Sequence, residues 1–305
     1  MSDPNLHVVT GAFGYSGSHI AQQLLDAGAR VRTLTGHLDR PHPLQERIEA
    51  HRLAFDDPAA LTESLRGAKV LYNTYWVRFD HGDATHHRAV DQLEILIRCA
   101  AEAGVGRVVH TSITNPSLNS RLPYFRGKAQ VEAALKASGV SYAILRPAVF
   151  FGGRDVLINN IAYLLRRFPV FGMPGKGDYG VQPIHVEDMA TLAVAQGRST
   201  DNVVLDAVGP ETYSYRELVR TVARAIGKRR LILRMPNWLV LAAARVVGWF
   251  VKDNLLTRDE VDGLRANLLV SADPPTGTTK FSDWLAQHKT ELGIRYANEI
   301  ARHFR

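Results

Sequence analysis

Three stretches near the start of the chain switch between two hydrophobic periods. Leu6 to Val9 is a short apolar run. Residues 19–27 then set Ile20, Ala21, Leu24 and Leu25 on one side against Gln22, Gln23 and Asp26 on the other, and Val31 to Thr35 returns to a strand-like pattern. The pattern predicts a strand, an amphipathic helix stopped at Gly28, and a second strand. The same alternation continues, with strands expected near 51–55, 70–74, 107–113, 141–146 and 203–207 and helices near 58–66, 85–103, 124–138, 155–168 and 186–197. Repeated strand-helix alternation predicts an α/β fold, a Rossmann-type doubly wound parallel sheet covered by helices on both faces.

From about Pro169 the texture changes. Pro169, Gly172, Pro174, Gly175, Gly177 and Gly180 make a turn-rich excursion of the kind that runs over a cleft, and after Pro210 the pattern is mostly helical. The expected organisation is a nucleotide-binding domain over 1–210, with a substrate-side loop excursion at about 151–183, and a smaller, mostly helical substrate lobe over 211–305.

Between the first strand and first helix lies Thr10-Gly11-Ala12-Phe13-Gly14-Tyr15-Ser16-Gly17, three glycines at intervals of three. That spacing at a strand-to-helix turn suits a dinucleotide: one glycine permits the tight turn, one lets the backbone approach a pyrophosphate, and one allows close helix-strand packing. The helix N-terminus adds free N–H groups and a positive dipole end. Ser16 is not flanked as a nucleophile elbow, and Gly175-Lys176 lacks the flanking residues of a P-loop.

Tyr124 and Lys128 stand one helical turn apart, behind Pro123, which suits a helix start. A phenol with a pKa of about 10 is a poor acid or base at neutral pH, and a neighbouring ammonium stabilises its phenolate. The pair suits proton transfer to or from a carbonyl or alcohol while a nicotinamide cofactor exchanges hydride. It follows the strand Arg107 to Ser112 and precedes one ending Ile144-Leu145-Arg146-Pro147, and parallel sheets collect ligands at such carboxyl ends.

With these residues the chain resembles the extended and atypical, epimerase/dehydratase branch of the short-chain dehydrogenase/reductase superfamily. The matching text is Thr10 to Gly17, Asp56 after the third strand, Tyr124 with Lys128, Arg146-Pro147 with Gly152, and Pro183 to Ala190. More narrowly, Ile158 to Ile161, Phe168 to Phe171 and Gly277 to Trp284 look like the subfamily of the nucleotide-binding accessory subunit of respiratory complex I. The resemblance implies that Thr10, Gly11, Gly14, Ser16 and Gly17 cradle the pyrophosphate with Phe13 and Tyr15 alongside. It also implies that Asp56 receives the adenine amino group, that Asn73 and Pro147 shape the nicotinamide side, and that Lys128 holds the ribose as well as assisting Tyr124. By loop position, Tyr75, Trp76, Phe151 and Gln182 are assigned to a small-molecule substrate.

Two departures bear on activity. The family presents Ser or Thr at the end of the fifth strand, whereas Thr111-Ser112-Ile113-Thr114 puts Ile113 in that slot, leaving Ser112 or Thr114 as substitutes. The fourth strand ends Asn73-Thr74-Tyr75-Trp76 instead of small residues. Two readings therefore stand: an oxidoreductase or epimerase-type enzyme using Tyr124 and Lys128, or a non-catalytic NADP(H)-binding protein with a structural or sensing role. In either, the second strand ends at Thr35 without a carboxylate, and His37 and Arg40 follow, which favours NADP over NAD.

Composition changes this picture little. The 305 residues are 46% hydrophobic and 22% charged with one cysteine, Cys99, which excludes an internal disulfide and reads as a buried small hydrophobe. The chain opens without a basic, apolar leader, so a cytoplasmic location is expected. The net charge of +7 reads as solvated faces plus a phosphate site; no nucleic-acid module is visible. His81, His86 and His87 read as an exposed loop leading into a helix, with no metal expected. Asp57 before Pro58, and Asp188 after His185, read as helix-start residues. Trp238 to Val251 is too short to span a bilayer and carries Arg245; a helix packed on the second lobe is the favoured reading and an interfacial helix the alternative, while a protein partner stays open.

Overall fold

The computed structural model describes residues 5–303. In chain order the strands and helices are β1 (Leu6–Thr10), α1 (Tyr15–Asp26), β2 (Arg30–Thr35), β3 (Glu49–Arg52), α2 (Pro58–Leu65), β4 (Val70–Asn73), α3 (His86–Glu102), β5 (Arg107–Thr111), α4 (Pro123–Ala137), β6 (Tyr142–Pro147), β7 (Val149–Phe151), α5 (Leu157–Arg167), β8 (Val170–Pro174), β9 (Gly180–Val181), β10 (Pro183–His185), α6 (Val186–Arg198), β11 (Val203–Ala207), β12 (Tyr213–Ser214), α7 (Tyr215–Ala225), β13 (Leu231–Met235), α8 (Asn237–Val251), α9 (Arg258–Arg265), α10 (Phe281–His288) and α11 (Glu299–His303).

Two compact units emerge. The first joins residues 1–147 to 186–207, and the second joins 148–185 to 208–305. The excursion expected to belong to the nucleotide-binding domain thus packs with the C-terminal residues, and the first unit recovers the chain only for α6 and β11.

The first unit holds a seven-stranded sheet in the order β11-β6-β5-β4-β1-β2-β3, with every neighbouring pair parallel. β1 is buried at all five positions, as expected of a strand covered on both faces. Val8, Leu34, Leu71 and Ile144 from the strands join Leu93, Leu96, Val131 and Leu135 from α3 and α4 in one core. The helix starts follow sequence chemistry: Asp57 accepts from the Ala60 amide at α2, and Thr85 from the Arg88 amide at α3. β3 ends at Arg52, short of the expected 55, so Asp56 lies in the turn beyond it.

The second unit buries Phe151, Ile158, Leu165, Leu218, Phe281 and Trp284 in its own core. It is not purely helical. Short strands pair as β7 with parallel β10, β8 with parallel β13, and β9 with antiparallel β12.

Candidate functional site

The loop after β1 bends through Gly11 at φ +68°, a left-handed conformation that favours glycine. A Cβ on Gly17 would stand 2.3 Å from the Gly11 carbonyl oxygen, so the first turn of α1 approaches that loop too closely for a side chain. α1 begins at Tyr15 with Gly14 as its N-cap and no side-chain cap hydrogen bond. A helix N-terminus without a side-chain cap beside a glycine cradle fits a pyrophosphate, which would accept from its amides and complement the dipole. The ends of the motif serve otherwise. Phe13 is buried against the His42 ring at 5.3 Å, not laid open alongside a ligand. The fully buried Thr10 hydroxyl donates to Asn73 Oδ1 at 3.0 Å and accepts from the Thr74 and Tyr75 amides at 2.8 and 3.1 Å, so it braces β1 to the loop after β4.

That brace continues into β5. Asn73 Nδ2 donates to His110 Nδ1 at 2.9 Å, which spends the amide expected on the nicotinamide side as a link between neighbouring strands. His110 is 1% exposed; burial, with Lys128 beside it, holds its imidazole well below the ordinary 6.5, in the neutral form.

Lys128 is the exceptional charge. It is 2% exposed, its Nζ donates to the Thr111 carbonyl at the carboxyl end of β5 at 2.7 Å, and it stands 4.4 Å from the centroid of the Trp76 ring. Burial pulls its pKa from 10.5 to about 7, with Glu132 acting weakly the other way. Tyr124, one turn earlier on α4, meets the Trp76 ring edge-on at 5.7 Å and the His86 ring at 5.6 Å. The structure therefore brings Tyr124, Lys128 and Trp76 together, and adds His86, whose Nδ1 lies 3.1 Å from Asp80 Oδ1.

Other sequence-predicted residues go elsewhere. Ser112 donates to Glu132 Oε1 at 2.5 Å, and Arg146 donates to both oxygens of the same carboxylate at 2.9 and 2.6 Å. Glu132 is 3% exposed, so Ser112 completes a buried ion-pair cluster. Sequence reasoning passed over Glu132, although its position one turn beyond Lys128 on the buried face of α4 was a usable signal. Thr114 is fully buried with its amide on the Pro147 carbonyl at 3.0 Å, and Ile113 is buried too. The Tyr75 hydroxyl donates to Gln92 Oε1 at 2.5 Å and its ring lies against Phe55, which makes it a wall between α3 and the sheet.

Phe151 and Gln182, assigned to substrate, belong to the second unit's framework. Phe151 is fully buried among Phe281, Trp284 and His185. Gln182 donates to the Gly209 carbonyl at 3.0 Å and accepts from the Ser271 amide at 3.1 Å. Near the end of β2, Thr35 accepts from the His37 amide at 3.1 Å, and His37 is exposed with Arg40 half-buried. Asp39 is exposed in the same turn, a carboxylate the sequence reading did not weigh. Asp56 is exposed and bound to Arg52 at 2.9 Å.

A glycine turn leading into a helix without a side-chain cap at the first strand of a parallel sheet, with a buried lysine of α4 reaching the carboxyl end of β5, defines a Rossmann-type nucleotide-binding fold. Residues 11–159 match a family described as NAD(P)H-binding. The chain is 28% identical over 246 residues to a ceramide reductase of Caulobacter vibrioides, covering 78% of this chain and 76% of that protein. It is 25% identical over 304 residues to the mitochondrial NADH dehydrogenase (ubiquinone) 1 alpha subcomplex subunit 9 of Arabidopsis thaliana, covering 92% and 74%. In fold it is similar to an NADPH-dependent quinone oxidoreductase of Escherichia coli solved with NADPH, at a TM-score of 0.72 and 20% identity over 94% of this chain and 99% of that one. Residues 11–159 thus carry an NAD(P)H-binding domain, and the proteins similar to the chain include both a reductase and respiratory-complex subunits. Among the described residues no helix is long and apolar enough to cross a membrane.

Proposed function

We propose that this protein is an NADP-dependent oxidoreductase of the epimerase-like branch, acting on a small carbonyl or alcohol with Tyr124 as proton donor or acceptor and Lys128 as its partner. The observation that carries the reading is Lys128. Removing an ammonium from water is costly, and a methionine would fill the same space without that cost. A lysine with its pKa drawn to about 7, at the carboxyl end of a parallel strand and one turn from a tyrosine, is the kind of group that functional sites arrange.

When bound, the reduced nicotinamide supplies hydride to the carbonyl carbon. Gly11, Gly14 and Gly17 make room for the pyrophosphate, and the start of α1, with its positive dipole end, faces it. Tyr124 gives its phenolic proton to the carbonyl oxygen, which leaves as the alcohol hydroxyl; oxidation runs the same transfer backwards. Lys128, its pKa drawn to about 7, is the proposed partner whose charge stabilises the phenolate once the proton has left. Trp76 covers the amine and keeps water from it. Asp56 lies beyond β3 to meet the adenine amino group. His37 and Arg40 favour a 2′-phosphate, opposed by Asp39.

Consumption of NADPH over a set of aldehydes, ketones and quinones tests this. Turnover by the wild type is expected, and Tyr124→Phe should abolish it while leaving NADPH affinity nearly intact; undiminished turnover in that variant would remove the assignment. A second reading, a protein that holds NADP(H) without turning over substrate, is favoured by the capture of Ser112 by Glu132 and by Ile113 in the family's Ser/Thr slot. It predicts tight NADPH binding with no consumption on any substrate of the set.

A further inference from the structure

The apolar helix α8 was expected to pack on the second lobe, and only one stripe of it does. Val240, Ala244 and Gly248, four residues apart, are its buried positions. At about 100° per residue the opposite side carries Trp238, Ala242, Arg245, Val246, Trp249 and Phe250, all exposed. Trp249 and Phe250 are 76% and 72% exposed, and Trp238 is 69% exposed. A soluble surface gains nothing from three large aromatic side chains on one helix face, whereas indole rings favour the water-hydrocarbon boundary.

Charge says what meets this face. Between Glu217 and Asp253 the sequence contains no Asp or Glu and eight Lys or Arg: Arg220, Arg224, Lys228, Arg229, Arg230, Arg234, Arg245 and Lys252. Several of these line an open groove with Leu231 in the segment leading to α8, and Leu231 and Leu233 of β13 are themselves exposed. Glu217, the groove's one acid, is engaged by the Ser214 amide and hydroxyl in a capping box. A second copy would bring eight more cations to eight, so self-association on this face is opposed by like charge. An anionic lipid surface is complementary on both counts: phosphates for the cations and acyl chains for the aromatics. Fifteen helical residues extend about 22 Å, less than a hydrocarbon core of about 30 Å, so the helix lies in the plane of the interface. Arg245, in the middle of the exposed face, can snorkel to the headgroups.

We infer that α8, with the basic segment before it, docks this protein peripherally on anionic membranes. The inference rests on surface chemistry alone and stands apart from the nucleotide reaction. The experiment is co-sedimentation of the full chain with phosphatidylcholine vesicles and with mixed phosphatidylcholine/phosphatidylglycerol vesicles, over a salt series. Binding to the mixed vesicles, weakening as salt rises, with little on phosphatidylcholine, is expected. The double variant Trp249→Ser/Phe250→Ser should bind at least about tenfold more weakly. Both side chains are exposed, so its melting temperature should equal that of the wild type, which separates lost docking from lost folding. Failure of the wild type to bind the mixed vesicles, equal binding by the double variant, or a wild-type dimer that the double variant dissolves would each overturn the inference.

Discussion

The ammonium of Lys128 stands 4.4 Å from the centroid of the Trp76 indole, and the same indole receives the Tyr124 ring edge-on at 5.7 Å. One aromatic side chain thus touches both members of the proposed proton-transfer pair and shields the amine from water. A cation over an indole face gains about 0.5–2 kcal/mol, yet the lost hydration outweighs it, which is why the amine titrates near 7. Trp76→Ala admits water. In a carbon NMR titration of labelled lysines, the Lys128 midpoint near 7 is expected to move up toward the ordinary range; a fixed midpoint would place the source of desolvation elsewhere.

The same shift fixes a stability profile. Between about 7 and 10.5 the unfolded chain holds a proton at Lys128 that the folded chain has released, so stability from this group rises with pH across that window. Below 7 both states are protonated and the cost of burying the charge is fully present. Lys128→Met carries no such cost. Its advantage over the wild type in urea unfolding should be largest below pH 7 and should shrink as pH rises toward 10; a constant difference would contradict the buried titration.

Ser112 and Glu132 form a structural contact at 2.5 Å, braced by Arg146. Ser112→Ala should cost roughly 1–3 kcal/mol in urea unfolding, while Glu132→Gln, which leaves Arg146 without its partner charge, should cost more, up to about 3–5 kcal/mol. The rise in melting temperature produced by NADPH should be unchanged in Ser112→Ala. A lost NADPH response there, without lost stability, would return Ser112 to the ligand site.

The proposed preference for NADP rests on three side chains after β2. Wild type should gain more melting temperature from NADPH than from NADH at equal concentration. Arg40→Ala should narrow that difference, and Asp39→Asn should widen it by removing the repulsion of a 2′-phosphate. Equal responses of all three proteins to both nucleotides would dismiss this turn as the discriminator.

What was legible in the sequence follows from how each element signals itself. β1, the glycine loop and α1 announce themselves because one backbone geometry demands glycine at Gly11 and Gly17. The parallel sheet is legible because strands buried on both faces are short apolar runs. β7, β9 and β10 are not legible, since two- and three-residue strands are too short for a period to emerge, and the five-residue β8 is masked by Gly172 and Pro174, which signal turns. The site was half legible. Tyr124 and Lys128 are legible by spacing, and the same spacing points on to Glu132, but its partner Arg146 arrives from β6, a contact across 14 residues that no local pattern carries. Phe151 and Gln182 enter the second unit's core and hydrogen-bond framework, and position in a loop says nothing about which core a side chain enters. α8 is legible as an apolar helix with two readings, packed or interfacial, because periodicity identifies a helix's faces without saying which one finds a partner.

In the proposed reaction Tyr124 moves the proton while hydride from the nicotinamide would reach a carbonyl at this site. Mass spectrometry of the alcohol formed from C4-deuterated NADPH tests it most directly. The account predicts one deuterium carried into the product by the wild type and none above background by Tyr124→Phe, which still binds NADPH. Equal deuterium transfer by the two proteins would contradict it.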